Sequence, residues 1–134
     1  MSAPAKKILV VDDDELLREF YKRVLASSGY EVRLASNGLE AKECLNTDPS
    51  FALVIIDLLM PVCNGYQLIQ YIRGKPELAK IPLLAVTGFA RSCAEIDQIR
   101  KLCDGVMLKT DFELAHFTAT IDRLTGGAAV AAAS

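Results

Sequence analysis

The sequence predicts a single α/β domain: a doubly wound parallel sheet with helices on both faces. Three observations predict it. The short runs Ile8-Leu9-Val10-Val11 and Leu53-Val54-Ile55-Ile56 are continuously apolar, as strands covered on both faces require. They alternate with longer stretches whose apolar residues recur at helical spacing. The 134 residues, 51% hydrophobic and 24% charged, suit one domain with a core of its own.

The elements follow in order. Ile8 to Val11 is the first strand, ended by acids. Glu15 to Ser28 is a helix with Leu16, Leu17, Phe20, Val24 and Leu25 on its apolar side, stopped by Gly29. Tyr30 to Ala35 alternates as a second strand. A helix capped by Ser36 or Asn37 runs through Leu45 and is broken by Asp48-Pro49. Leu53 to Ile56 is the third strand, ended by Asp57. Asn64-Gly65 signals a turn, and Tyr66 to Arg73 a helix facing inward through Leu68, Ile69 and Ile72. Pro82 to Val86 is the fourth strand, ended by Thr87-Gly88. Ser92 to Leu102 is a more polar helix, and Val106 to Leu108 a short strand ended by Lys109. Phe112 to Leu124 is the last helix, with Leu114, Phe117, Ile121 and Leu124 inward and Gly126-Gly127 as its stop. The predicted organisation is an N-terminal extension over 1–5, one domain over 6–125, and a disordered tail or linker remnant over 126–134.

Several classes are excluded at this level. Fifteen Lys and Arg against seventeen Asp and Glu give a net charge of −2, which argues against a nucleic-acid groove or a polybasic membrane anchor. The apolar runs reach only about six or seven residues, far short of a membrane span, and the N-terminus lacks a signal-peptide layout. A soluble cytoplasmic protein is expected. Cys44, Cys63, Cys93 and Cys103 are scattered and His116 stands alone, so a zinc site is not expected and the cysteines read as small apolar residues. Neither a G-x-G-x-x-G nor a P-loop is present, which disfavours nucleotide or flavin binding.

The chemistry is predicted at the strand ends. In open parallel α/β sheets, ligands sit outside the carboxyl ends of the strands. Here those ends carry Asp12-Asp13-Asp14, Asp57, Thr87 and Lys109. Clustered carboxylates repel one another, and a hard divalent cation such as Mg²⁺ relieves them. Three acids, a hydroxyl and an amine suit a phosphoryl group: cation and amine neutralise its oxygens, and the hydroxyl donates a hydrogen bond. A central carboxylate such as Asp57 can itself be the nucleophile and carry an acyl phosphate. Asp14 reads instead as a helix cap or a solvated acid.

Taken together, these residues resemble the receiver domain of bacterial two-component response regulators. The resemblance rests on Ile8 to Asp14, on Leu53 to Pro61 followed by Asn64-Gly65, on Thr87 after Pro82 to Val86, and on Lys109 after Val106 to Leu108. It covers about residues 6 to 125. It implies a (βα)₅, flavodoxin-like fold with strand order 2-1-3-4-5. It also implies phosphorylation of Asp57 by a histidine kinase or histidine phosphotransfer protein. Asp12, Asp13, Asp57 and the backbone carbonyl of Leu59 would hold Mg²⁺ (or Mn²⁺), and Thr87 and Lys109 would contact the phosphoryl group. Such a domain is a signalling phosphoacceptor that catalyses only its own phosphorylation and dephosphorylation. It acts on a downstream effector protein or domain, with no direct contact to nucleic acid or membrane.

The sequence departs from that family's pattern at three positions. Val106 stands where the family usually has Tyr or Phe, so the usual aromatic switch, in which the ring follows the threonine inward, cannot operate in its ordinary form. Thr110 replaces a proline after the lysine; a non-proline cis bond costs about 2.5–4 kcal/mol, so Lys109–Thr110 is expected trans. Gly88 replaces an alanine and gives its loop more freedom. Leu59 and Phe89, two residues past Asp57 and Thr87, are expected to flank the mouth of the site, obstruct an attacking water and slow hydrolysis of the acyl phosphate. Glu95, Asp97, Arg100, Lys101 and Asp122 are candidates for charged pairs across a homodimer. A second reading is a divergent pseudo-receiver, a constitutive protein-interaction module that is not switched. The altered switch positions favour it, and the complete acid set with Lys109 opposes it. An aspartate-based phosphatase is disfavoured, because the run after Asp57 lacks that class's second acid.

Overall fold

The computed structural model describes residues 5–58, 65–88, 93–109 and 112–127, with the side chains of 93–96 undefined. Strands and helices alternate without exception: β1 (Lys7–Val11), α1 (Glu15–Ser27), β2 (Glu31–Ala35), α2 (Gly38–Thr47), β3 (Leu53–Asp57), α3 (Gly65–Gly74), β4 (Leu83–Thr87), α4 (Cys93–Leu102), β5 (Gly105–Leu108) and α5 (Leu114–Thr125). The strands form one parallel sheet in the order β2-β1-β3-β4-β5, the fold class and strand order expected.

Alternation along the strands divides the core in two, because successive side chains of a strand point to opposite faces. Leu9, Val11, Val54, Ile56, Leu83 and Ala85 face one way and pack with Leu45 of α2, Leu68 and Ile72 of α3, and Ile99 of α4. Ile8, Val10, Leu53, Ile55, Leu84 and Val86 face the other way, against Tyr21 and Leu25 of α1 and Phe117 and Ile121 of α5. β1, β3 and β4 are therefore buried on both sides, which is why their sequences run apolar without a break.

Local signals set the helix limits. Asp14 caps α1, its Oδ1 accepting from the N–H groups of Leu16 at 2.9 Å and Leu17 at 3.2 Å, as expected for this acid. At the other end Gly29 takes φ 95°. Its N–H donates to Ala26 O and that of Tyr30 to Leu25 O, each at 3.1 Å, a paired closure that a left-handed residue permits. Asn37 caps α2 through Glu40 N at 2.9 Å. Arg73 of α3 ties three segments together, donating to the carbonyls of Ala79, Ile81 and Leu102 and to Asp104.

Two predicted apolar faces need correction. On α1, Leu16 is 82% exposed and Phe20 39%, while Tyr21 is buried; the true inner stripe is Leu17, Tyr21, Val24 and Leu25. On α5, Leu114 is 49% exposed as the first helical residue, and Thr120 is buried in its stead, its hydroxyl donating to His116 O at 2.8 Å. Asp122 is exposed on α5 and accepts from the Tyr30 hydroxyl at 2.6 Å. Asp97, Arg100 and Lys101 are exposed on α4. The Glu95 side chain, Cys63, Leu59, Phe89, Thr110 and the tail from Ala128 lie outside what the structure describes.

Candidate functional site

Parallel register brings the predicted residues to one edge. Val11 lies beside Ile56, Asp57 beside Val86, and Thr87 beside Leu108, so β1, β3, β4 and β5 end level with one another. Asp12 follows β1 and Lys109 follows β5, while Asp57 and Thr87 are the last residues of β3 and β4. Asp12, Asp57 and Thr87 are each less than 5% exposed, whereas Asp13 is open to solvent. Carboxylate oxygens of Asp12, Asp13 and Asp57 lie within 4.8 Å of one another.

Lys109 closes the cluster. Its Nζ stands 3.2 Å from Asp57 Oδ2 and 3.4 Å from Asp12 Oδ2. Partial burial works against its charge, but the Asp57 and Asp12 carboxylates outweigh burial and hold its pKa above the ordinary lysine value. Asp12 shifts upward too: burial raises its pKa most, a hydrogen bond from the Asp14 N–H pulls it down, the Asp57 charge raises it and Lys109 lowers it. Three carboxylates against one ammonium leave a local excess of negative charge. An all-oxygen donor set with that excess fits a hard divalent cation such as Mg²⁺.

The β1–α1 turn that presents Asp12 and Asp13 is held by several bonds. Asp12 N–H donates to Ala35 O at 3.1 Å, Asp14 N–H donates to Asp12 Oδ1 at 2.9 Å, and Arg18 Nη1 donates to the Asp12 carbonyl at 2.8 Å. Behind Asp57 the first residue of α3, Gly65, comes so close that a Cβ there would stand 2.6 Å from the Asp57 carbonyl oxygen. The sequence marked Gly65 only as part of a turn, and gave no sign of Arg18.

Val106 and Gly88, two of the departures named above, have plain geometry. Val106 pairs with Ala85 in the sheet and packs, half-buried, against the α2–α3–α4 side of the core. Gly88 has no positive φ, and an alanine Cβ there would meet Lys109 Cδ at 3.5 Å, an ordinary contact. Beside Lys109, a groove of about 210 Å³ is walled by Leu17, Phe20, Tyr21 and Phe112. Tyr21 has its pKa pushed up, chiefly by burial and then by the charges of Asp12 and Asp57, so its hydroxyl keeps its proton. Cys103 is buried, which raises its thiol to about 11, and it behaves as the small apolar residue expected.

Comparison with known proteins agrees with this arrangement. The family model "Response regulator receiver domain" matches residues 8–121. The polar-differentiation response regulator DivK of Brucella anthropi is 29% identical over 123 residues, spanning 92% of this chain and 98% of DivK. The transcriptional regulatory protein GltR of Pseudomonas aeruginosa is 33% identical over 99 residues, 74% of this chain. The chain spans only 39% of GltR and 48% of the probable transcriptional regulator ycf29 of Porphyra purpurea, less than half of either. Among solved structures, Vibrio cholerae CheY4 superposes with a TM-score of 0.80 at 27% identity, over 89% of this chain and 98% of its own. The receiver domain of a Syntrophus aciditrophicus signal transduction histidine kinase gives 0.82 at 28% identity, over 91% of each chain. No helix among the described residues is long and apolar enough to cross a membrane. With its sheet order, its level strand ends and the match over residues 8–121, the chain belongs to the receiver domain family of two-component response regulators.

Proposed function

We propose that this domain accepts a phosphoryl group on Asp57 from a histidine kinase or histidine phosphotransfer protein, and signals through a phosphorylation-dependent change of surface. The observation that carries this reading is Lys109, poised between the Asp57 and Asp12 carboxylates at the strand ends. An Asp57 oxygen attacks phosphorus and the P–N bond to the donor imidazole breaks. The imidazole leaves with the electron pair and takes up a proton, and an acyl phosphate remains. Lys109 exchanges its carboxylate partners for phosphoryl oxygens, and the Thr87 hydroxyl donates to another. Asp12, Asp13, Asp57 and the Leu59 carbonyl would hold Mg²⁺ (or Mn²⁺), which supplies charge neutralisation at the transferred group. The domain promotes only its own phosphorylation and dephosphorylation, and its output passes to a downstream effector protein or domain in the cytoplasm. A homodimer would use the face formed by α4, β5 and α5, where Asp97, Arg100 and Lys101 are exposed.

Docking of the donor is supported by apolar residues exposed on α1: Phe20 lines the Lys109 groove, and Leu16 stands open to solvent on the same helix. Leu16→Asp should slow transfer from a protein donor and leave acetyl phosphate unaffected. The direct test is incubation with Mg²⁺ and acetyl phosphate. The wild type should gain one phosphoryl mass, lost in Asp57→Asn. No adduct, together with no Mg²⁺ binding, would leave only a constitutive interaction module. Leu59→Asn and Phe89→Ala test the slow-hydrolysis expectation, and unchanged lifetimes in both would remove it.

A further inference from the structure

We infer that Arg18 is a positioning residue for the cation site, fixing the Asp12–Asp14 turn by clamping the Asp12 backbone carbonyl. This rests on the reading of the site as a Mg²⁺-dependent phosphoacceptor.

Asp12 and Asp13 sit on the short β1–α1 connection, where the chain leaves the sheet and has not yet become helical. Asp12 uses each of its polar groups. Its N–H donates to Ala35 O at 3.1 Å, its Oδ1 accepts from Asp14 N at 2.9 Å, and its Oδ2 lies 3.4 Å from Lys109 Nζ. Its carbonyl accepts from Arg18 Nη1 at 2.8 Å, a bond running from the second turn of α1 back over the connection. The Asp12 carbonyl belongs to the single planar peptide unit that joins Asp12 to Asp13, and the orientation of that unit sets how Asp12 faces the cluster and Asp13 its rim. Without that bond, rotation of the unit about its flanking Cα bonds moves the Asp13 oxygen relative to those of Asp12 and Asp57, now within 4.8 Å of it.

Arg18 acts through geometry and not as a local charge. Its guanidinium makes no ion pair with Asp12, Asp13 or Asp57 among the described residues. The cationic charge that pairs with the cluster is Lys109. Arg18 is half-buried, with its Nη1 bonded to the Asp12 carbonyl across the β1–α1 connection. A planar guanidinium suits this role, because a rigid donor loses little freedom on bonding. Partners that orient metal ligands without touching the metal govern affinity about 10–100-fold when removed.

The two roles predict opposite signs, which makes the idea testable. If Arg18 acted as a nearby positive charge, Arg18→Met would tighten Mg²⁺ by removing repulsion. If it positions the turn, Arg18→Met weakens Mg²⁺. The experiment is calorimetric titration of the unphosphorylated domain with MgCl₂, with wild-type, Arg18→Met and Arg18→Lys proteins compared at temperatures where each is folded. We expect about a tenfold higher Kd for Arg18→Met, with Arg18→Lys, which keeps one donor, within about threefold of wild type. Acetyl-phosphate labelling of Arg18→Met should show a raised Mg²⁺ requirement and a near-normal rate at saturating Mg²⁺. The Asp14 amide, bonded to Asp12, should exchange faster in metal-free Arg18→Met. A Met variant that binds Mg²⁺ as tightly as wild type, or more tightly, overturns the inference, as does a Lys variant weakened tenfold. Failure of the underlying reading looks different: the wild type itself would then neither bind Mg²⁺ nor label at Asp57.

Discussion

Gly65→Ala tests how tightly the backbone at Asp57 is packed. Gly65 opens α3 without a positive φ, so propensity alone favours alanine there by about 1 kcal/mol. The surroundings oppose it. A Cβ would stand 2.6 Å from the Asp57 carbonyl oxygen and 2.6 Å from Leu58 Cα, and 3.0 Å from Leu58 Cδ2. Two of these obstacles are backbone, and ordinary contact begins near 3.4 Å, so the end of β3 or the start of α3 must move by about 0.8 Å (3.4 − 2.6). Overpacking costs about 1–3 kcal/mol, and backbone obstacles place this case near the top; less the propensity gain, about 2 kcal/mol of net destabilisation remains. For a domain of this size that is a fall in Tm of about 8 °C. Thermal unfolding by circular dichroism measures it, and acetyl-phosphate labelling should slow, because the displaced atoms belong to Asp57 and its neighbour. A Tm that rises by a few degrees, as propensity alone predicts, would refute the reasoning.

Three other outcomes follow from the geometry. Because the Asp12 pKa is raised, the native state holds that proton more tightly than the unfolded chain. Its stabilising effect is complete below the unfolded value near 3.8 and is lost as pH rises through the native value. Asp12→Asn should therefore stabilise the metal-free protein at pH 7 but not at pH 3, in denaturant titrations at both. Lys109→Met should cut labelling of Asp57 by at least about tenfold while tightening Mg²⁺, since an ammonium that competes with the cation is gone; calorimetry that shows weaker Mg²⁺ binding would contradict this. Tyr30→Phe removes the bonds to Asp122 at 2.6 Å and Thr125 at 2.8 Å and should cost about 2 kcal/mol, read as a lower urea midpoint at unchanged slope. The Tyr30 hydroxyl, pushed up to about 12, stays protonated throughout such a titration.

The parts legible in the sequence were those with a short-range cause. Strands buried on both faces must be apolar throughout, so Ile8 to Val11 and Leu53 to Ile56 announced the sheet, and the residues ending them announced the site. Hydrophobicity alone points Leu16 and Phe20 inward on α1 and passes over Tyr21, with its polar tip. In the fold Tyr21 stacks on Phe117 at 5.4 Å between ring centres, and Phe20 lies against Phe112 at the surface. Thr120 was missed for a similar reason: its hydroxyl is satisfied by its own helix, so a polar residue is buried without penalty. Arg73, Arg18 and Gly65 act on backbone atoms outside their own helices, and no periodicity encodes such partners.

At the pole opposite the acids, Lys6 Nζ donates to the Thr125 carbonyl at 2.7 Å, while Tyr30 fastens Asp122 and Thr125 to the same corner. The first strand thus begins where the last helix finishes. A circular permutant should follow readily: a short glycine linker from Gly127 to Lys6 would bridge this corner, with new ends opened in the exposed turn after α2, around Pro49 and Ser50. Such a rewired chain would retain its acidic edge intact. For the same reason any cargo attached at Lys6 or Gly127 departs from the far pole and leaves the mouth of the site unobstructed.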